Sequence, residues 1–471
     1  MHSASRFNNP VVLCLAGYLV AVPLLIPLVT TSVSAYDAAR VAQLALLPVM
    51  AGLGVNAALP ALSQPMRGAL VVLSILGLLS CTLAANSWMA LRESLNLGCL
   101  IAIAAVLAAQ RRATLDWLPK AAALAVMAYA VPVLILALMG AVHGLPLAAD
   151  LPLPGYDNRR YFNHVQTVAL PLAAYGVIRF RSPLLRYLTG AGLLASMVLL
   201  WITLGRGSLL GMAAAVGVLA VLRLRGRREV QAQLVILAGG LLLAATLSTL
   251  IQTYAASTSL ASGFGRAPAA AEVSSDHSRF SLWQRAWEMA TASPWLGVGP
   301  MHYAADNHEK GAHPHSLPLQ LLAEWGWPAT LLIGLIWASL MVAMARRLRT
   351  SSGCELQLGA CALACWASVF VDSWFSGLWV MPVSQMWLVA LMGLSGAWLS
   401  QAPPPLSAVA ARRWSVMPLL LSIALLLHAA PEVMQLRAHL DSVEETFPGD
   451  RIRPRFWSHG QIGPSAPSRS P

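Results

Sequence analysis

The 471-residue chain is 57% hydrophobic and only 11% charged, with mean hydropathy +0.65. Soluble domains carry about 25% charged residues, so a soluble globular domain is excluded and the chain reads as an integral membrane protein built around one bundle. The net charge of +12 sits in short loops between apolar runs, not on a soluble basic face, which argues against a nucleic-acid partner.

Apolar runs long enough to cross a bilayer fall near 11–31, 41–59, 69–87, 93–110, 119–142, 164–180, 187–204, 208–222, 231–251, 318–345, 356–373, 382–399 and 415–430. A run with no water to bond must satisfy its own backbone, so each is expected as a helix. The prediction is an all-α, polytopic membrane bundle of about 12–13 transmembrane helices with one large, partly helical outside loop over 252–317. The bundle is expected over 1–430. The Pro-, Ser- and Arg-rich stretch 431–471 is expected as a poorly ordered tail. The first run ends in Ser32-Val33-Ser34-Ala35, which resembles a cleavage site, but the spans behind it favour an uncleaved anchor.

With the N-terminus inside, the clusters at Arg111–Arg112, Arg179–Arg186, Arg223–Arg228 and Arg346–Arg349 share the inner side, as the bias of Lys and Arg demands. The same alternation turns four polar elements outward: the loop 143–163, the Gly205-Arg206-Gly207 turn, the loop 252–317 and the connection after Asp372. They are expected to converge on one surface. The six cysteines avoid these loops, and Cys361 and Cys365, at i,i+4 in an apolar run, read as packing residues.

Several outward residues suit anion binding or proton transfer. Arg159 and Arg160, flanked by Tyr156, Tyr161 and Phe162, can hold a phosphate or stack on a sugar, or serve as an interfacial belt. Arg206 stands between two apolar runs with a glycine on either side. Its guanidinium can take a phosphate bidentately, and Gly205 and Gly207 would let that phosphate reach backbone N–H groups at a helix start. From Ser278 to Thr291 the chain reads as a surface helix capped by Asp276 or Ser278, with Leu282, Trp283, Ala286, Trp287 and Ala290 at helical spacing. Arg279 lies in its first turn; Arg285 can instead pair with Glu288 three residues on.

Five of the eleven histidines fall between Asp276 and Trp327. His308 and His313 are five apart, not the i,i+4 of a zinc protease helix. A metal site from His302, His308, His313 and His315 is the lesser reading, and no metal or other cofactor is assigned. His313-Pro314-His315-Ser316 sits at the outer mouth of a long apolar run, where an imidazole suits general-base work.

Taken together, Arg206-Gly207-Ser208, Arg279…Trp283…Ala286, Pro294-x-x-Gly297-x-Gly299-Pro300 and His315-Ser316 followed by Gly326 resemble the O-antigen ligase superfamily. That superfamily also includes O-antigen polymerases and bacterial protein O-oligosaccharyltransferases. The resemblance covers roughly 155–400. Two departures stand out. Gly326-Trp327-Pro328-Ala329 replaces a frequent Gly-Ile-Pro-Gly, and Asp372 stands where a histidine is often found.

The resemblance implies a multi-pass enzyme of the bacterial inner membrane. It would move a glycan from undecaprenyl pyrophosphate to a hydroxyl of lipid A core, a growing glycan or a pilin-like protein on the periplasmic face, without a metal. His315 would be the general base, and Arg206 and Arg279 would hold the pyrophosphate. Arg159, Arg160, Arg285, His313 and Asp372 are further possible contributors. A transporter or flippase is the alternative from another class. Its ionisable groups are expected near the midplane, whereas these cluster at the outer rim.

Overall fold

The computed structural model describes residues 9–29, 33–56, 64–142, 153–257, 269–305, 311–400, 416–446 and 454–460. Among these every long element is a helix: α1 (Pro10–Val29), α2 (Ala35–Leu53), α3 (Gln64–Leu83), α4 (Ser87–Ala109), α5 (Arg111–Val142), α6 (Arg159–Arg179), α7 (Pro183–Thr203) and α8 (Arg206–Leu224). There follow α9 (Gln231–Leu234), joined through a π-helical segment, Val235–Gly239, to α10 (Gly240–Ser257), and then α11 (Ala269–Ala292), α12 (Leu317–Thr350), α13 (Gly353–Asp372), α14 (Pro382–Leu399) and α15 (Met417–Thr446).

Local chemistry sets several starts. The side chains of Ser34, Asn86, Asn158 and Ser182 each accept from a backbone N–H in the first turn of the helix that follows, and Pro183 and Pro382 occupy first-turn positions where no donor is needed.

Eleven of the described helical stretches are long and apolar enough to cross a membrane. The chain is therefore a polytopic helical membrane protein. Two further predicted runs, α2 and α6, are diluted by buried polar groups: Asp37, Arg40 and Gln43 on one, and Asn163, His164, Gln166 and Thr167 on the other. Such groups are tolerated at depth only where the protein itself solvates them.

The basic clusters meet at one end of the bundle. Arg227 donates to the carbonyls of Arg349 and Ser351, Arg347 to that of Leu399 and Arg111 to that of Ala397. Cys361 and Cys365 are buried, their thiols against the carbonyls of Pro171 and Val168.

Three expectations change. The surface helix starts at Ala269, not at Asp276 or Ser278, because the Ala-rich stretch before those residues joins it; Arg279 lies in its interior rather than its first turn. The predicted span 318–345 is broken at Gly326 (φ 76°, ψ 175°), just ahead of Pro328. The bundle does not end at residue 430: α15 runs on to Thr446, and residues 454–458 return to be buried inside it. Of the expected tail, residues 447–453 and 461–471 lie outside the described residues, while Arg455, Phe456, Trp457 and Ser458 find partners on α2, α4, α12 and α15.

The motif glycines explain the break. Gly297 (φ 68°) lies so close to α12 that a Cβ would stand 2.3 Å from the Glu324 carbonyl carbon, and a Cβ on Gly326 would stand 2.6 Å from that of Trp295. Backbone meets backbone here, which only glycine permits. The amides of Val298 and Gly299 donate to the carbonyls of Ala323 and Glu324, and that of Trp327 to Pro294, so the connector after α11 is laced onto the kink.

Candidate functional site

The site is built where the start of α6, the α7–α8 turn, residues 311–316 with α11, and the end of α13 close on one another at the end opposite the basic clusters. The turn between α7 and α8 puts Leu204 in the left-handed region (φ 49°) and starts α8 at Arg206, which is exposed. The two flanking glycines do not lie open to a ligand, as the sequence reading had it. A Cβ on Gly205 would stand 2.6 Å from the Asn163 side chain, and one on Gly207 would stand 2.3 Å from Asp372 Oδ1. They are glycines so that α6 and the end of α13 can approach the turn.

Beneath that turn lies a polar knot. Thr167 Oγ1 is 2.9 Å from Asp372 Oδ2 and 2.8 Å from Ser208 Oγ, and Ser208 in turn donates to the Asn163 carbonyl. Asn163 Nδ2 donates to Thr203 Oγ1 at 2.7 Å and to Gln166 Oε1 at 3.0 Å. Asp372 is buried, and its Oδ1 makes no hydrogen bond among the described residues. It lies within the electrostatic field of Arg279.

Residues 311–316 close the other side. The amide of Leu317 donates to the Ser373 carbonyl at 2.8 Å, and His313 packs so tightly on Gly377 that a Cβ there would stand 2.5 Å from its Cε1. From α11, Trp283 Nε1 donates to the Pro314 carbonyl at 3.0 Å, while Leu282, Ala286, Met289 and Ala290 are buried at helical spacing. The stripe thus faces the protein, and Trp287 is the exposed tryptophan, edge-on to Trp327 at 5.9 Å.

His315 is half-buried and left-handed (φ 53°). A left-handed non-glycine residue is strained, and such strain gathers at functional sites. Its amide donates to His313 Nδ1 at 3.2 Å, which makes that nitrogen the acceptor of the ring, and the two imidazoles stand edge to face at 4.1 Å. Desolvation, then the charges of Arg279 and Arg160, push the pKa of His315 from 6.5 down to about 3. Burial does the same to His313, aided by His315 and Arg455. Both rings are neutral at pH 7. As neutral rings they carry no charge there and can accept a proton.

The predicted residues therefore divide. Arg279 and Arg160 act electrostatically on His315; His313 holds its backbone; Asp372 lies against Gly207, the residue after Arg206. Arg159 opens α6 beside Arg160 and is half-buried. Arg285 is turned to Glu288, 3.2 Å away, as its spacing allowed. Tyr156 and Phe162 spend their faces on each other and on Tyr129, with ring centroids 5.1–5.6 Å apart, so they are packing and not a platform for sugar.

His302 commits both ring nitrogens, Nε2 accepting from the Asn86 amide and Nδ1 facing the Pro300 carbonyl, and so serves the fold. His308 and the side chain of His277 lie outside the described residues. The sequence reading missed His164. It is buried on α6 within the fields of His315, Arg160 and Arg279, and its Nδ1 has no hydrogen-bond partner among the described residues. The signal for it was the polar run Asn163-His164-x-Gln166-Thr167 at the start of an apolar span.

Comparison with known proteins gives one family. Residues 191–334 match the family model for O-antigen ligase. No curated protein matches the chain. The matched stretch holds Arg206, Arg279, His313, His315 and Gly326, and so spans the α7–α8 turn, α11, the histidine loop and the kink that positions them. Within a multi-pass helical bundle, residues 191–334 are thus similar to the O-antigen ligase family.

Proposed function

We propose that the protein transfers a glycan from undecaprenyl pyrophosphate to an acceptor hydroxyl on the periplasmic face of the bacterial inner membrane. One observation carries the reading: a half-buried His315, neutral at pH 7, lies within the electrostatic fields of Arg279 and Arg160. Glycosyl transfer needs just these two functions. The acceptor oxygen attacks the anomeric carbon, the bond from that carbon to the pyrophosphate oxygen breaks, and the undecaprenyl pyrophosphate leaves as an anion. His315 takes the acceptor proton. Arg206 and Arg279 hold the pyrophosphate and stabilise the charge that grows on it. Arg160 adds to the same field, and His313 fixes the His315 backbone.

Asp372 sits at the first turn of α8 beside Gly207, where a carboxylate orients donors and favours the helix dipole. Its role is to set the turn that bears Arg206. No cofactor or metal enters this scheme. The acceptor belongs to lipid A core, a growing glycan or a pilin-like protein.

The test is transfer by purified protein in detergent, without nucleotide or gradient, from lipid-linked glycan to each acceptor class in separate reactions. Transfer to one class, lost in His315→Ala, supports the reading. Absence of transfer to all three, with movement of lipid-linked glycan across vesicles, would establish a transporter instead.

A further inference from the structure

We infer that Glu324, its buried charge balanced by Arg455 from the C-terminal segment 454–460, is a positioning residue for the candidate site, acting through Tyr303 on the elements that carry Arg279 and His315. The inference rests on the glycosyl-transfer reading for its consequence, but its geometry stands apart from that reading. Arg455 is buried and bound to the fully buried Glu324 on α12, with Glu93 of α4 at 3.6 Å. With its amide oxygen turned to Arg455, Gln320 accepts from both terminal nitrogens, at 2.6 and 2.9 Å.

The segment is seated, not merely apposed. Ser458 donates through its amide and hydroxyl to Asp37 of α2, Trp457 Nε1 donates to Glu432 of α15, and the Tyr36 hydroxyl donates to the Arg455 carbonyl. The Phe456 ring lies between two guanidinium groups, 4.8 Å from Arg40 and 4.3 Å from Arg92.

From Glu324 the path continues to the site. Its Oε1 accepts from the Tyr303 amide at 3.0 Å. The Tyr303 hydroxyl donates to the Leu282 carbonyl of α11 at 3.0 Å. Arg279 lies three residues before Leu282, and Trp283, the next residue, holds the Pro314 carbonyl between His313 and His315. Each link is a buried or half-buried hydrogen bond, so Arg455 reaches the histidine loop through one connected set of contacts.

A plain buried ion pair would make a different prediction. Removing one partner strands a buried charge, whereas removing both is often well tolerated. For simple charge balance, any neutral pair at 455 and 324 suffices. For positioning, residue 324 must still accept from the Tyr303 amide.

Three variants of the full chain separate the two: Arg455→Met, Arg455→Met with Glu324→Gln, and Arg455→Met with Glu324→Leu. Each is measured for thermal unfolding in detergent, kcat and KM for transfer, and amide exchange over 299–303 and 311–317. Arg455→Met should lose stability and activity together. The Gln pair should recover both. The Leu pair should fold, yet keep kcat lowered by about tenfold, the scale of one lost hydrogen bond, with faster exchange in both windows. A Leu pair with wild-type kcat and wild-type exchange overturns the inference. If the unaltered protein transfers nothing while exchange follows this order, the glycosyl-transfer reading fails and the positioning path stands.

Discussion

The Trp283 indole donates to the Pro314 carbonyl at 3.0 Å, and this bond joins a helix that carries a cation to the loop that carries the candidate base. Because Pro314 lies between His313 and His315, the indole fixes the turn in which His315 takes its left-handed backbone. Trp283→Phe keeps the ring against Phe375, at 6.4 Å, but removes the donor. A neutral hydrogen bond contributes about 0.5–1.5 kcal/mol, so the variant should transfer several-fold to about tenfold more slowly with little change in unfolding temperature. Steady-state kinetics of the purified variant checks this.

His315→Ala should lower transfer by about 10²–10⁴, the range for loss of a general base. His313→Ala should be milder, since it removes the acceptor for the His315 amide and packing against Gly377 but not the proposed base. Retained binding of lipid-linked donor by both variants would show that the loss lies in chemistry.

The pH dependence follows from the depressed pKa of His315. A base whose pKa is about 3 stays unprotonated down to that pH, so its acid limb should lie far below the 6.5 of an ordinary histidine. Arg279→Gln removes the largest of its charge contributions and should move the limb upward. The stability effect has the same direction. With folded pKa values below the unfolded 6.5, His313 and His315 contribute stability that is present above pH 6.5 and is lost as pH falls toward their folded values. Unfolding temperature and rate measured from pH 8 to pH 4 test both. An acid limb at 6.5 in the unaltered protein, assignable to His315, would refute the assignment.

Arg206→Ala should weaken donor use strongly, because a hydrogen bond to a charged group contributes about 1.5–3 kcal/mol. Arg206→Lys should restore it only in part, since a point charge cannot reproduce a planar fork. Full recovery by lysine would reduce the role of Arg206 to charge alone. Donor KM in the three proteins gives the answer.

The site and the basic clusters occupy opposite ends of the bundle, so the site should face the periplasm if the clusters face the cytoplasm. Ala305 is exposed beside the site. Ala305→Cys should react with an impermeant maleimide in cells whose outer membrane has been permeabilised, and labelling that appears only after inner-membrane lysis would reverse the arrangement.

Much of the fold was legible because a bilayer leaves the chain few options. A long apolar run must bond its own backbone, and each of the thirteen predicted runs overlaps a described helix, from α1 to α15. The tight turn at Arg206, the helical spacing of the apolar residues of α11 and the Arg285–Glu288 pair were legible too, because each depends on residues a few positions apart; that the α11 stripe faces the protein was not. What only the tertiary structure decided involves partners far apart in the chain. Gly207 admits Asp372, Thr167 joins that carboxylate to Ser208, and Arg455 neutralises Glu324 from 131 residues away. No periodicity announces such pairs. Burial also decided the charge of the histidine loop: the sequence placed an imidazole near a helix mouth, and desolvation with the charges of Arg279 and Arg160 holds it neutral.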